Sequence, residues 1–318
     1  MTRFHDAFTI FLSLLVEALP FLVLGVVLSS ALLLFINEEQ LVSRVPRHPI
    51  LGSMFGSFMG FFLPVCECGN VPVARRFLLQ GLPLSMSVGF LLAAPTINPI
   101  VIWSTWIVFR DQPEIVWLRI LFSWLIATII ACVFSIQRDP RPLLQELLAK
   151  RMTIKSNYRR SLLPKKQSSL PLMQGAVLVQ KRSNSALISG FLENMSQELR
   201  ELGGVLILGS AIAATIQVFV PRELIVNLGQ GTVSSIVAMM LLAAVVSICS
   251  TVDSFFALSF AGTFTSSSLL AFLVFGPMID LKAVGLMLSI FKPRIIFYLF
   301  ALAAQLTFMF TLAYSYFF

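Results

Sequence analysis

Two short segments carry side chains capable of chemistry inside an otherwise apolar chain. The first is Pro64-Val65-Cys66-Glu67-Cys68-Gly69-Asn70-Val71-Pro72. Thiols two residues apart point about 200° away from each other in a regular helix but share a face in extended backbone. A joint thiol site therefore needs the helix to unwind here, and Pro64, Gly69 and Pro72 allow that. Glu67 stands between the two cysteines at the end of an apolar run, where an acid is costly and a functional candidate by default. The second segment is Ser247-Ile248-Cys249-Ser250-Thr251-Val252-Asp253-Ser254. Cys66, Cys68 and Cys249 together would offer two or three thiolates to a soft centre such as Cu(I), Zn(II) or trivalent arsenic or antimony. Glu67 or Asp253 would then take up protons as thiols bind, coupling movement to a proton gradient. Simple packing is the competing reading of a membrane cysteine, and Cys132 is assigned to it.

A third pair of segments is Ala93-Ala94-Pro95-Thr96-Ile97-Asn98-Pro99 and Phe275-Gly276-Pro277-Met278-Ile279-Asp280. Pro95 and Pro99 cannot both lie within one unbroken helix, and Gly276 with Pro277 weakens the later segment. Asn98 and Asp280 are thereby placed to line a cavity or bond across helices. The alternative is a surface kink, with Asp280 solvated beside Lys282. Arg75 and Arg76 read either as an anion site or as side chains snorkelling to the interface. Trp103, Trp106, Trp117 and Trp124 read as interfacial anchors.

These segments are embedded in a chain that cannot be a soluble domain. Of 318 residues, 57% are hydrophobic and only 12% charged, and the mean hydropathy is +0.89. The composition describes a polytopic membrane protein and excludes secreted disulfide scaffolds and nucleic-acid modules. Apolar blocks fall near 8–36, 50–65, 82–109, 114–137, 200–220, 232–250, 264–291 and 294–317, all expected as helices. The first is too long for a signal h-region and is taken as a span. Residues 138–190 hold eleven Lys/Arg and two acids, whereas the rest of the chain has twelve bases against thirteen acids. The positive-inside rule makes this linker cytoplasmic. Within it, Leu143, Leu144, Leu147 and Leu148 suggest an interfacial helix, a solvated tether being the alternative.

Sliding the chain by 181 residues lays Cys68-Gly69-Asn70-Val71-Pro72 on Cys249-Ser250-Thr251-Val252-Asp253, and Gly81 on Gly262. After a one-residue gap, Pro95 and Asn98 fall on Pro277 and Asp280, and Gly25 resembles Gly209. The expected fold is all-α and polytopic, with two repeated halves of 4–5 transmembrane helices and Pro/Gly-broken segments. Residues 1–137 form the first repeat, 138–190 the basic cytoplasmic linker and 191–318 the second repeat. Paired interrupted segments in two halves point to a transporter's central site. Four crossings per half would make the repeats parallel, with cytoplasmic termini; five would invert them.

The motifs at 64–72, Ala-Arg-Arg at 74–76, Gly81, Ala-Ala-Pro-x-x-Asn-Pro at 93–99, Cys-Ser-Thr-Val-Asp at 249–253 and the stretch 271–282 together resemble the predicted permeases of the ArsP/YraQ-like family. The resemblance covers both halves and omits the linker. It implies a permease, and in some relatives export of trivalent organoarsenicals through thiols such as Cys66, Cys68 and Cys249. The family commonly has a small polar residue where this chain has Glu67, a departure that suggests proton coupling or a cationic substrate.

Enzyme signatures such as His-Glu-x-x-His, Gly-x-Ser-x-Gly and the Walker A loop are missing from the sequence, so no enzymatic activity and no cofactor are expected. The expected protein is a multi-pass permease of the bacterial inner membrane that works by alternating access. Its partners are lipid and a small-molecule or metalloid substrate, not nucleic acid; a homo-oligomer is left open. The favoured substrate is a soft, thiol-reactive species. The alternatives are an anionic or sulfur-containing small molecule, or a non-transporting subunit of a membrane complex.

Overall fold

A computed structural model describes residues 2–35, 48–63, 65–136, 141–146, 148, 150, 184–219 and 231–317. Pro64, most of the linker and the turns at 37–39 and 221–223 lie outside the described residues. The described chain is helical, and twelve α-helices fall into two sets of six. The first set is α1 (Thr2–Phe35), α2 (Pro49–Phe62), α3 (Asn70–Leu79), α4 (Leu84–Ala93), α5 (Pro99–Val108) and α6 (Pro113–Ser135). The second is α7 (Asn184–Phe219), α8 (Thr232–Val246), α9 (Asp253–Leu258), α10 (Ser266–Met278), α11 (Leu281–Met287) and α12 (Pro293–Phe317). Five helical stretches among the described residues are long and apolar enough to cross a bilayer: Phe4–Ala31, Pro113–Ser135, Phe191–Val218, Ser266–Met287 and Pro293–Phe317. Side chains such as Val16, Leu208 and Phe297 remain exposed on them, as a lipid-facing surface requires. The fold is that of an all-α polytopic membrane protein.

Each set has the same internal plan. A long helix is followed by a short one, a non-helical break and a shorter helix that returns. A broken helix and a long closing helix complete the set. The 14 residues of α2 rise only about 21 Å, too little to cross the hydrocarbon core. Helices α2 and α4 run parallel. A Cβ on Gly56 would lie 2.6 Å from Met86 Cα, and one on Gly60 would lie 2.7 Å from Ala94 Cα. Between two parallel helices the chain must come back, and α3 makes that return. The second set repeats the device. Ser235 and Ser268 hydroxyls meet at 2.6 Å, and a Cβ on Gly276 would lie 3.3 Å from Ala243 Cβ, so α8 and α10 are parallel too.

Corresponding long helices of the two sets run antiparallel. Ser29 Oγ donates to Glu198 at 3.0 Å, while Leu14, fifteen residues earlier, packs against Ala213 and Ala214. Likewise Tyr314 donates to Glu114 at 3.5 Å, and Phe122 stacks on Phe310 with ring centres 5.3 Å apart. A small residue also lets α1 approach the first break closely: a Cβ on Gly25 would sit 2.6 Å from Gly69 Cα.

The start of the linker docks on the second half. Gln145 N–H donates to Ile290 O at 2.8 Å, and Lys292 N–H donates to Leu143 O at 3.1 Å. Leu144 and Leu148 are buried in the main apolar core. They face protein, not the headgroup layer expected for them; Leu147 lies outside the described residues.

Candidate functional site

The two breaks are built alike. At the first, Cys66 O accepts from Gly69 N–H at 3.1 Å and Asn70 N–H at 3.0 Å, and α3 then begins at Asn70. At the second, Cys249 O accepts from Val252 N–H at 2.9 Å and Asp253 N–H at 3.0 Å, and α9 then begins at Asp253. The structural mate of Cys249 is therefore Cys66, not Cys68 as the 181-residue slide suggested. The register differs by two because Cys-x-Cys offers two places to anchor an alignment. Downstream the expected pairing holds. Asn98 caps α5 by accepting from Ile100 N–H at 2.8 Å. Asp280 caps α11 by accepting from Ala283 N–H at 2.6 Å.

The breaks meet in the interior. The Cys66 side chain interacts with those of Cys249 and Cys68, and all three cysteines are buried and free. One ligand atom each from Cys66, Glu67 and Cys249 lies within 4.8 Å of the others. Two sulfurs holding one tetrahedral zinc stand roughly 3.8 Å apart at Zn–S bonds of about 2.3 Å, so the trio closes on a soft centre with small side-chain movements. Thr251 donates to Cys249 Sγ at 3.5 Å, occupying the place that Cys68 has beside Cys66.

Charge enters this cluster from the second half. Lys282, 1% exposed, places Nζ 3.8 Å from Glu67 Oε1. The remaining oxygens Glu67 Oε2 and Asp280 Oδ2 are buried without a hydrogen-bond partner. Half-buried Glu17, in the middle of α1, interacts electrostatically with Lys282 and Asp280. Ser247 ends α8 in the left-handed conformation, at φ 49°. Its hydroxyl accepts from Leu281 N–H at 3.2 Å, tying the start of α11 to the second break.

Among the described candidate residues, Cys66, Cys68, Cys249, Glu67 and Asp280 thus belong to one buried neighbourhood. Asp253 stands apart from them. Its carboxylate receives Arg119 at 2.5 Å and 3.1 Å, and Ser254 and Thr105 complete the group. Asn98 acts as a helix cap. Pro72 lies inside the first turn of α3, Pro95 in the turn before α5 and Pro99 at the start of α5. Gly276 and Pro277 lie in the last turn of α10. Arg75 bonds Glu201 at 2.6 Å and Arg76 pairs with Glu198 at 3.3 Å, so both arginines face protein. Sequence reasoning named Lys282 only as a neighbour of a solvated Asp280, and passed over Arg119 and Glu17. The usable signal was a lone charge inside an apolar span, which is expensive unless paired.

A broken-helix core with buried thiols defines a membrane transport protein, and comparison with known proteins names the class. The model of the ArsP_1 family, described as predicted permease, matches residues 3–316. The chain belongs to this family and is a multi-pass membrane permease. It is 38% identical over 291 residues to the UPF0718 protein YcgR of Bacillus subtilis (strain 168), covering 92% of this chain and 90% of the relative. It is 32% identical over 287 residues to a protein of Streptococcus mutans serotype c (strain ATCC 700610 / UA159), covering 90% of this chain and 87% of the relative. That protein's name reads "Putative two-component membrane permease complex subunit". No solved structure matches the chain.

Proposed function

We propose that this permease exports a soft, thiol-reactive metalloid or metal species, of the kind represented by trivalent organoarsenicals, from the bacterial cytoplasm. The carrying observation is the meeting of Cys66 and Cys249, mates of the two breaks, beside Glu67 within 4.8 Å. A trivalent arsenical dihydroxide condenses with two thiols to give two As–S bonds and two waters, so loading needs no redox partner. Movement is driven by the proton gradient, and this chain carries no nucleotide motif for ATP use.

The transport cycle is alternating access between two inverted repeats. The antiparallel pairing of α1 with α7 and of α6 with α12 supports inversion. The hairpin of α2 and α3 adds no net crossing, which leaves an odd number per half. With a cytoplasmic linker, both termini then face outward. The name of the Streptococcus mutans relative favours a second reading, in which this chain works as one subunit of a two-component permease.

The test is accumulation of trivalent methylarsenic in everted membrane vesicles, with arsenite as comparison. Wild type is run beside Cys66→Ser/Cys249→Ser, with and without a proton uncoupler. Uptake lost in the variant and with uncoupler supports the proposal. Wild-type uptake equal to empty vesicles overturns the metalloid reading.

A further inference from the structure

Besides Lys282–Glu67 beside the thiols, three ion pairs among the described residues join the two halves, and they lie at two depths on either side of the thiols. Helix α6 ends and α7 begins at the linker, which defines one face of the membrane. Glu198 is seven residues, or roughly 10 Å, into the Phe191–Val218 span from that face. Its partner Arg76 and the neighbouring pair Arg75–Glu201 attach α3 of the first half to α7 of the second. Arg119 is six residues, or roughly 9 Å, into the Pro113–Ser135 span from the opposite face. Its pair with Asp253 attaches α9 of the second half to α6 of the first. The return helix of each half is thus clamped to the other half, once near each face.

Between these layers lie the breaks. Gly69 packs on Gly25, one turn along α1 from Ser29, and the backbone of Lys282 packs against Gly209, eleven residues deeper along α7 than Glu198. The Cys66, Cys68 and Cys249 side chains are almost fully excluded from solvent, as a site closed on both sides requires. Each layer is held by charge pairs that carry no soft sulfur ligand and that differ in the helices they join. They can therefore open one at a time.

We infer that these pairs are the two gates of the permease. Arg75–Glu201 with Arg76–Glu198 closes the linker face, and Arg119–Asp253 closes the opposite face. The inference rests on the alternating-access reading above but not on the identity of the substrate. Opening one layer frees one return helix from the opposite half and exposes the thiols to one side only. Opening both at once would short-circuit the membrane, so the structure with all three pairs formed is the closed intermediate between the two access states.

Thiol accessibility tests this without substrate. In a Cys132→Ser background, a charged membrane-impermeant thiosulfonate is applied to everted and to right-side-out vesicles. The opposite-face gate is removed by Arg119→Leu/Asp253→Leu, which leaves no buried charge unpaired. The linker-face gate is removed by Arg75→Gln/Arg76→Gln/Glu198→Gln/Glu201→Gln. Each variant is expected to label about tenfold faster than the background from its own face, with no change from the other. The charge swap Arg119→Asp/Asp253→Arg should return labelling toward background. Unchanged labelling in monodisperse, folded variants overturns the assignment, as does equal acceleration from both faces. If a gate variant misfolds, Asp253→Asn and Glu198→Gln serve as milder replacements read by the same criteria. One-sided labelling without methylarsenic uptake keeps the gates and rejects the substrate. Uptake with unchanged labelling does the reverse.

Discussion

The two breaks share a backbone and differ in chemistry. Each cysteine carbonyl, Cys66 or Cys249, accepts two N–H groups three and four residues ahead, and each turn feeds a return helix. Around that common frame the first break carries Glu67, Cys68 and Asn70, and the second Ser250, Thr251 and Asp253. Asn70 stays within its own half, donating to Leu91 O at 2.6 Å. Asp253, its mate, reaches across to Arg119. The shared turn is thus kept in the main chain while the side chains specialise. The first half supplies two thiols and the acids Glu17 and Glu67; the second supplies one thiol, the acid Asp280 and the cation Lys282. A site made of identical halves would be symmetric in charge, and this one is not.

Breaking the thiol pair should have the largest effect. Cys66→Ser or Cys249→Ser is expected to reduce thiol-dependent uptake of trivalent methylarsenic to the level of empty vesicles. Cys68→Ser should retain a measurable part, because Thr251 already holds the equivalent place without a thiol. Equal losses for all three would erase the distinction between mates and neighbours.

Next in size is the contrast between Asp253 and Asn70. Arg119→Ala strands a buried carboxylate and is expected to destabilise the protein by about 3–5 kcal/mol. Asn70→Ala, which removes a single neutral hydrogen bond, should destabilise by about 1 kcal/mol. Thermal unfolding in detergent reads both, and the ranking should hold even if the absolute values shrink.

The packing glycines sharpen the comparison further. A methyl on Gly25 meets the Gly69 backbone at 2.6 Å, whereas one on Gly209 finds Gly285 Cα at 3.7 Å. Gly25→Ala should therefore destabilise by about 1–3 kcal/mol, and Gly209→Ala by less than about 0.5 kcal/mol. Smallest of all is Thr251→Val, which loses a long hydroxyl–sulfur contact and should stay within about 0.5 kcal/mol of wild type in the same measurement.

Much of this arrangement was legible in the sequence, for physical reasons. Pro95, Pro99 and Pro277 announced interrupted helices because proline cannot sit unnoticed in a helix interior. The three cysteines stood out as polarizable groups beside breaks. The return helix α3 was not visible, because Arg75 and Arg76 make a segment buried inside the protein look like a surface loop. Their partners Glu201 and Glu198 lie more than a hundred residues away, and no local pattern announces them. Lys282 was hidden in the same way. Next to Asp280 it looked solvated, and only the fold brings Glu67 from the other half to face it. The mate of Cys249 was misread by two residues because apolar sequence of low identity carries little register information, whereas hydrogen bonds carry it fully.

The most direct test of the central claim, that Cys66 and Cys249 meet as one buried pair, is a cross-link. A Cys68→Ser/Cys132→Ser variant with a protease site inserted in the 151–183 segment is treated in membranes with phenylarsine oxide or a mild oxidant, then cleaved. Fragments that stay joined on a non-reducing gel, and separate when either Cys66 or Cys249 is also replaced by serine, are the expected result. Fragments that separate without reduction, while Cys68 with Cys249 gives a joined product in the matching Cys66→Ser variant, would contradict the account.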